Sequence, residues 1–167
     1  MYLIASIIEH LDKEMPELSV VDEDYGQLEA LFGAEKDTYP LTFPAVLVSV
    51  NSVDWSDTSE GHQIGPASIR VRLLLDCYDD MRSGSHTVHM ARERTELCHR
   101  LWVALQNFRP NDNGGMTRIS SRMIVADHGI KIYEDNYTVT TSECLPEKGT
   151  IARPAVRISA ALDRGTR

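Results

Sequence analysis

The segment ASIRVRLLLDCY, residues 67–78, decides the fold that we predict for this chain. Its odd-numbered positions are apolar and its even-numbered positions are mostly polar, which is the period of a strand with one buried face. At about 3.3 Å per residue the segment spans roughly 40 Å, about twice the usual strand length. A strand of that length projects beyond a small core unless other elements or other subunits cover it.

Composition limits the classes of protein to consider. A length of 167 residues fits one domain, and 42% apolar residues are enough for a core. The formal net charge of -8, from 17 basic and 25 acidic residues, argues against a surface that binds nucleic acid. Apolar runs stay well short of 18 residues, so we expect no membrane span. The three cysteines, an odd number widely spaced, indicate a reduced cytoplasmic setting.

Hydrophobic periodicity predicts an α+β fold. We expect a mainly antiparallel sheet, with an N-terminal helix and one long helix packed on one face. Residues 1–141 are predicted to form a single domain, followed in 142–167 by a linker, an additional C-terminal strand and a frayed tail. The predicted order is helix 2–15, short strand 18–21, loop 22–39, strand 45–50, polar connection 51–66, the long strand, helix 86–108, strands 116–126 and 130–141 as a hairpin, and strand 156–162.

The sequence contains few residues in patterns typical of catalytic or metal-binding sites. His86 and His89 lie three residues apart, with Asp79 and Asp80 upstream, which is a spacing that can hold a metal. They also fall in the first turn of a predicted helix, where an exposed polar face is expected, so metal binding there stays open. The sequence contains no GxSxG, HExxH, CxxC or Gly-rich phosphate loop. We therefore predict no enzyme, no catalytic residue, no cofactor and no metal.

Four residues are predicted to contact a subunit or partner: Trp55, Arg70, Arg72 and Tyr78. Both arginines lie on the polar face of the long strand, which either faces solvent or meets a neighbouring subunit or an acidic channel. Trp55 lies in the connection before that strand, and it is either an interface residue or a lid over the core edge. We expect a charge reversal at both arginines to weaken assembly and to leave the fold intact.

Several local patterns resemble one family of proteins. They are the N-terminal apolar helix, YPLTFPAVLV at 39–48, Trp55 with a glycine-containing connection, IRVRLLLDCY at 69–78, a single long helix, and IKIYEDNYTV at 130–139. Together they resemble the tail terminator, or tail completion, proteins of tailed bacteriophages and prophages, with the related head–tail joining proteins. The resemblance covers about residues 1–140. The strand predicted in 142–162 departs from it.

The resemblance implies a structural virion protein. Such a protein forms a ring with copies of itself, commonly a hexamer, that terminates the tail tube and joins it to the head connector. Its partners would be the tail tube protein and the head–tail connector proteins, and DNA would pass through the lumen without specific contacts. It would be found in the bacterial host cytoplasm during assembly and in the tail or neck of the virion, with no membrane contact. Two alternatives are an intracellular ligand-binding domain or small-molecule enzyme, and an adaptor of a phage-tail-like contractile apparatus.

Overall fold

Two 15-residue strands and an 18-residue helix are the longest elements described in the computed structural model of this chain. The structure describes residues 2–31, 41–59, 61–77, 79, 82, 84–126 and 129–145. The predicted α+β class is confirmed. The elements are α1 Leu3–Glu14, β1 Val20–Glu23, α2 Gln27–Leu31, β2 Ala45–Val53, β3 Ser56–Ser59, β4 His62–Asp76, α3 Val88–Leu105, β5 Thr117–Val125 and β6 Ile130–Cys144.

One six-stranded sheet runs in the order β1-β2-β4-β6-β5, and β3 pairs with β4 beside β2. Only β1 and β2 pair in parallel; every other pair among the described residues is antiparallel. The long strand that we predicted is β4, at the centre of this sheet. It pairs with β6 along its whole length, from His62 opposite Cys144 to Asp76 opposite Ile130. At about 3.3 Å per residue, this ladder is roughly 50 Å long.

The main core lies between the sheet and the two helices, α1 and α3, that pack on one of its faces. In α1 the buried residues are Leu3, Ile7 and Leu11, which recur every four positions and so share one side of the helix. They pack with the odd-numbered residues of β4 and with Leu101 and Leu105 of α3. The alternation in β4 therefore buries the face that the sequence predicted.

The opposite face of the sheet is partly covered, which the sequence analysis did not expect. Residues 22–39 were predicted to be a loop with little fixed structure, and this is wrong for the part that the structure describes. β1 runs to Glu23 and α2 follows, because Leu28 of α2 buries against the sheet in a second apolar cluster and Gln27 is 3% exposed. The side-chain Nε2 of Gln27 donates a hydrogen bond to the backbone carbonyl oxygen of Glu23 over 2.6 Å. That cluster comprises Leu28, Leu41, Ala45, Leu47, Leu74, Ile130 and Ile132.

The predicted polar connection at 51–66 is also wrong, because most of it is strand. β2 continues to Val53, β3 follows after Asp54 and Trp55, and β4 begins at His62. The bend between β2 and β3 passes close to Gly65 of β4. A Cβ at Gly65 would overlap the Asp54 carbonyl oxygen, so the close approach requires glycine at this position. The β5–β6 hairpin is confirmed, and β6 extends to Cys144. The strand predicted at 156–162 lies outside the described residues. None of the helices described here is long and apolar enough to span a membrane.

Candidate functional site

Charged residues gather on the sheet face opposite α1 and α3, and we call this cluster the arginine face. Arg72 of β4 lies opposite Glu134 of β6, and Glu134 lies opposite Arg122 of β5. Opposite charges directly across neighbouring strands stabilise a sheet. The full set is Asp24, Glu29, Arg70, Arg72, Arg122 and Glu134.

Arg72 is the centre of the arginine face. Its Nη1 lies 3.2 Å from Asp24 Oδ2 and 2.9 Å from Glu29 Oε1, and its Nε lies 3.3 Å from Glu134 Oε2. Arg72 is 9% exposed and Glu134 is 2% exposed. Arg122 closes the row from the edge strand, with its Nε 2.8 Å from Glu134 Oε1. The contacts of Arg72 are thus made within the chain and mostly out of water.

The arginine face is neutral as a whole, with three guanidinium groups and three carboxylates. Burial opposes the charged form of Arg72, yet its bonds to Glu29, Asp24 and Glu134 raise its pKa above the ordinary value. Burial likewise works against ionised Glu29, and the Arg72 guanidinium holds the pKa of Glu29 below its usual range. Both groups therefore stay ionised across the physiological range.

Arg70 and Arg72 differ in how far they are available to a partner. The Arg70 side chain is 28% exposed; its Nη2 lies 3.2 Å from Asp24 Oδ2, and its Nε finds no hydrogen-bond partner among the described residues. Reversing the charge of buried Arg72 would set a fourth carboxylate beside Asp24, Glu29 and Glu134. The expectation that a double reversal spares the fold is therefore wrong on physical grounds. A subunit contact through Arg70 and Arg72 stays a prediction.

Trp55 and Tyr78 complete the predicted contact residues. Trp55 lies in the bend between β2 and β3 and is 37% exposed. Its backbone lies beside Gly65, five positions along β4 from Arg70, so the structure does not bring Trp55 together with Arg70 and Arg72. Its contact with a subunit stays a prediction. Tyr78 lies outside the described residues.

A three-stranded arm extends from the sheet beyond Trp55. We define the arm as β3 with residues 61–64 and 142–145. The strands pair as Ser56 with Ile64 and as His62 with Cys144, and the Leu145 amide donates to the Gly61 carbonyl over 2.8 Å. All four residues of β3 and all of 142–145 are exposed, and Leu145 is 72% exposed. The arm was not predicted from the sequence, because β3, SDTS, carries no apolar alternation.

The edge strand β5 is a second exposed surface that was not predicted from the sequence. All nine of its residues are exposed, including Ile119, Met123 and Val125 at 62%, 56% and 66%. β5 was predicted as a strand, but nothing in TRISSRMIV shows that it is an edge or that α3 leaves it uncovered. A cavity of about 270 Å³ lies beside it, lined by Leu73, Leu101 and Tyr133 among others.

The carboxylate proposed for a metal site has other partners. Asp79 is bonded to Arg94, and its Oδ1 lies 2.9 Å from Lys131 Nζ. The Arg94 hydrogen bond is the main cause that lowers the Asp79 pKa to about 2. His89 Nδ1 lies 3.0 Å from the His86 carbonyl oxygen. No group of three or more His, Cys, Asp or Glu side chains that could hold a metal occurs in the described part of the chain.

Cys77 and Cys98 are both half-buried free thiols, and Cys144 is an exposed one. Burial raises the pKa of Cys77, and it raises that of Cys98 to about 11. Neither Cys77 nor Cys98 therefore has the lowered pKa of a nucleophilic thiolate.

Comparison with known proteins gives little evidence about the family of this chain. No protein-family model matches this sequence, and no curated protein matches it. Among solved structures, a chain from the virion of a native gene transfer agent (GTA) particle is similar, with a TM-score of 0.48 and 11% sequence identity; the match covers 85% of this chain and 96% of that chain. A likeness of this size supports no conclusion about family, partners or function.

Proposed function

We propose that this chain is a structural virion protein of a phage or prophage. It assembles as a ring, most simply a hexamer, that terminates the tail tube and joins it to the head connector. The observation that carries the proposal is the arm. Three paired strands with exposed side chains bury little surface within their own subunit, and such an extension is stabilised when a neighbour covers it. The order of sequence elements supports the same role.

Within the ring, the arm and Trp55 form the first contact surface, and Arg70 forms the second. Exposed tryptophan and arginine are the residue types enriched at interfaces. Arg72 supports Arg70 indirectly, because both arginines bind Asp24 and so fix its position. Tyr78 is retained as a contact residue on the sequence pattern alone. The partners are copies of this chain, the tail tube protein and the connector proteins, and DNA passes through the lumen without specific contacts.

The proposal is tested by assembly of the purified full chain. Light scattering and electron microscopy, alone and with tail tube protein, should give ring-shaped oligomers or particles bound to tube ends. A monomer at high concentration that also fails to bind tubes would contradict the ring role. The proposed setting is the host cytoplasm during assembly and the virion neck afterwards. Genes for portal, capsid and tail tube beside this one would support that setting; a secretion-type gene cluster would favour the contractile-apparatus adaptor instead.

One observation favours a second candidate, a ligand-binding domain. A cavity of about 590 Å³ lies at the end of β4 beside α3, lined by apolar residues such as Leu75 and Leu97 together with Asp79 and Arg94. Cavities of this size with a few polar groups accept small molecules. A rise in melting temperature with one member of a metabolite panel would favour this function. The absence of any such shift would leave the virion role as the better account.

A further inference from the structure

The sheet stops early on one side of β4, and a cavity lies in the space beside it. β2 begins at Ala45, which lies opposite Leu74, so Leu75 and Asp76 pair only with β6 among the described strands. Residues 41–44, just before β2, line the cavity of about 590 Å³ together with the end of β4 and the first half of α3. The cavity thus follows from the unequal lengths of two neighbouring strands.

The backbone of Asp76 turns two polar groups toward this cavity. The Cys77 amide donates to the Gly129 carbonyl oxygen over 3.0 Å, on the β6 side. Because successive residues of an antiparallel strand direct their N–H and C=O groups to opposite sides, those of Asp76 point away from β6. No backbone hydrogen bond joins either group to a loop in the described part of the chain. The Asp76 carbonyl oxygen is therefore open to a donor from a bound molecule.

The walls of the cavity are mostly apolar. One stripe of α3 lines it, at the spacing of a single helix face: Met90, Glu93, Arg94 and Leu97. Leu75 lines it from β4. Met90 is 41% exposed although its side chain is apolar. A bound apolar group would remove this surface from water, which is favourable.

The ionised groups around the cavity leave it negative. Asp76, Asp79 and Glu93 line it, and Arg94 is the one cation among its described lining residues. Asp79 binds Arg94 through one carboxylate oxygen and Lys131 through the other, so these three charges are already paired. Even with Lys131 included, three carboxylates face two cations. Asp76 and Glu93 are exposed, and neither forms an ion pair with another described residue.

We propose that this cavity binds a small primary amine, whose ammonium group is held by Asp76 and Glu93 and whose apolar body packs against the α3 stripe. The proposal rests on the ligand-binding function, the second candidate above, and not on the virion role. A primary ammonium group carries three N–H donors and no acceptor. The cavity supplies three matching acceptors, namely the two unpaired carboxylates and the Asp76 carbonyl oxygen.

Other ligand chemistries fit this cavity less well. A carboxylate or phosphate would meet the unpaired charges of Asp76 and Glu93, while Arg94 is already held by Asp79. A neutral apolar molecule would cover the two carboxylates without replacing their water, which costs free energy. An amine with an apolar body avoids both costs, because it pairs with the carboxylates and covers the apolar wall.

Calorimetric titration of the full chain tests the ligand class with three molecules that share one apolar body. Phenylbutylamine is a cation at neutral pH, phenylbutanol is neutral and phenylbutyrate is an anion. The amine should bind about tenfold more tightly than the alcohol, because hydrogen bonds between ionised groups are the stronger ones. Added salt should weaken binding of the amine and leave that of the alcohol unchanged. An alcohol or an anion that binds as tightly as the amine would overturn the amine class and leave a ligand-binding domain of another kind.

Two glutamates of α3 supply matched variants. Glu93 lines the cavity, whereas Glu96 is equally exposed and lies outside it, beside Arg92 and Arg100. Glu93→Gln should weaken amine binding about tenfold and leave alcohol binding unchanged, and Glu96→Gln should change neither. Equal amine binding by both variants would show that the acidic chain attracts any cation, and it would overturn the site.

Failure of the amine class is distinguishable from failure of the ligand-binding function. If none of the three molecules binds, the amine class fails. The ligand-binding function fails as well only if the metabolite panel gives no rise in melting temperature.

Discussion

Glu134 shows at the scale of one residue how the arginine face depends on pairing. It is 2% exposed and accepts hydrogen bonds from Arg72 and from Arg122. Glu134→Gln removes the charge that both guanidinium groups face, so we expect the free energy of unfolding to fall by about 3 kcal/mol. Arg122→Gln is the matched control, because the Arg122 side chain is 64% exposed and its loss should cost less than about 1 kcal/mol. Urea denaturation of both variants measures the two values, and equal losses would contradict this account.

The ionised state of Asp79 predicts how the stability of the protein depends on pH. Its side chain is 2% exposed and is held ionised by Arg94 and Lys131, so its folded pKa of about 2 lies below the unfolded value of about 3.9. A lowered folded pKa contributes stability that is fully present above the unfolded pKa and is lost as the pH falls through about 2. Asp79→Asn should therefore be less stable than wild type at pH 5, and the difference should shrink toward pH 2. Denaturant unfolding across that range checks it; a difference that stays constant with pH would rule this role out.

The bend between β2 and β3 is the feature to test at the scale of one element. A Cβ at Gly65 would overlap the Asp54 carbonyl oxygen and lie 2.8 Å from its carbonyl carbon. Gly65→Ala must push backbone aside, so we expect a loss of about 1–3 kcal/mol and faster amide exchange in β3. Gly114→Ala is the control, since a Cβ there meets Thr140 at 3.8 Å, an ordinary contact. If amide exchange in β3 is the same in Gly65→Ala as in wild type, the bend does not require glycine at this position.

The elements predicted from sequence were those with a strong period. α1 and β4 carry regular apolar spacing. α1 formed within the predicted range, and β4 contains most of the predicted strand but begins five residues earlier, at His62, and ends at Asp76. α2 and β3 could not be predicted in the same way. α2 is a five-residue helix stabilised by burial of Leu28 in the second apolar cluster, and β3 is an exposed strand stabilised by pairing with β4. Elements of this kind depend on tertiary partners, which local propensity does not encode.

At the scale of the whole molecule, the site was only partly predictable. Periodicity placed Arg70 and Arg72 on one face correctly. The burial of Arg72 depends on Glu134, which is 62 positions away in the sequence, and on Glu29, which lies in an element that was not expected. The pattern of β4 alone shows that its polar face exists, but not what covers that face. For the same reason the exposure of β5 became visible only once α3 was placed.

Assembly is also a property of the whole molecule, and two variants test whether the arm takes part in it. Leu145 in the arm is 72% exposed and Val103 on α3 is 56% exposed, so neither change should disturb the core. If the arm is covered by a neighbour, Leu145→Asp should weaken ring assembly at least tenfold, because it places a charge in an apolar contact. Val103→Asp should assemble as wild type does. Light scattering over a concentration series compares them, and equal assembly of both variants would remove the arm from the interface.

The continuous β4–β6 ladder has a mechanical consequence. Hydrogen bonds between antiparallel strands run perpendicular to the strands. A pull on the arm along its own axis therefore loads the ladder from His62 to Asp76 in shear, and its bonds share the force rather than opening one after another. A pull across the strands would instead unzip the ladder from its tip at Gly61 and Leu145. The arm is thus stiff against tension along its length and weak against peeling, so the direction in which a neighbour holds it determines how much force the joint withstands.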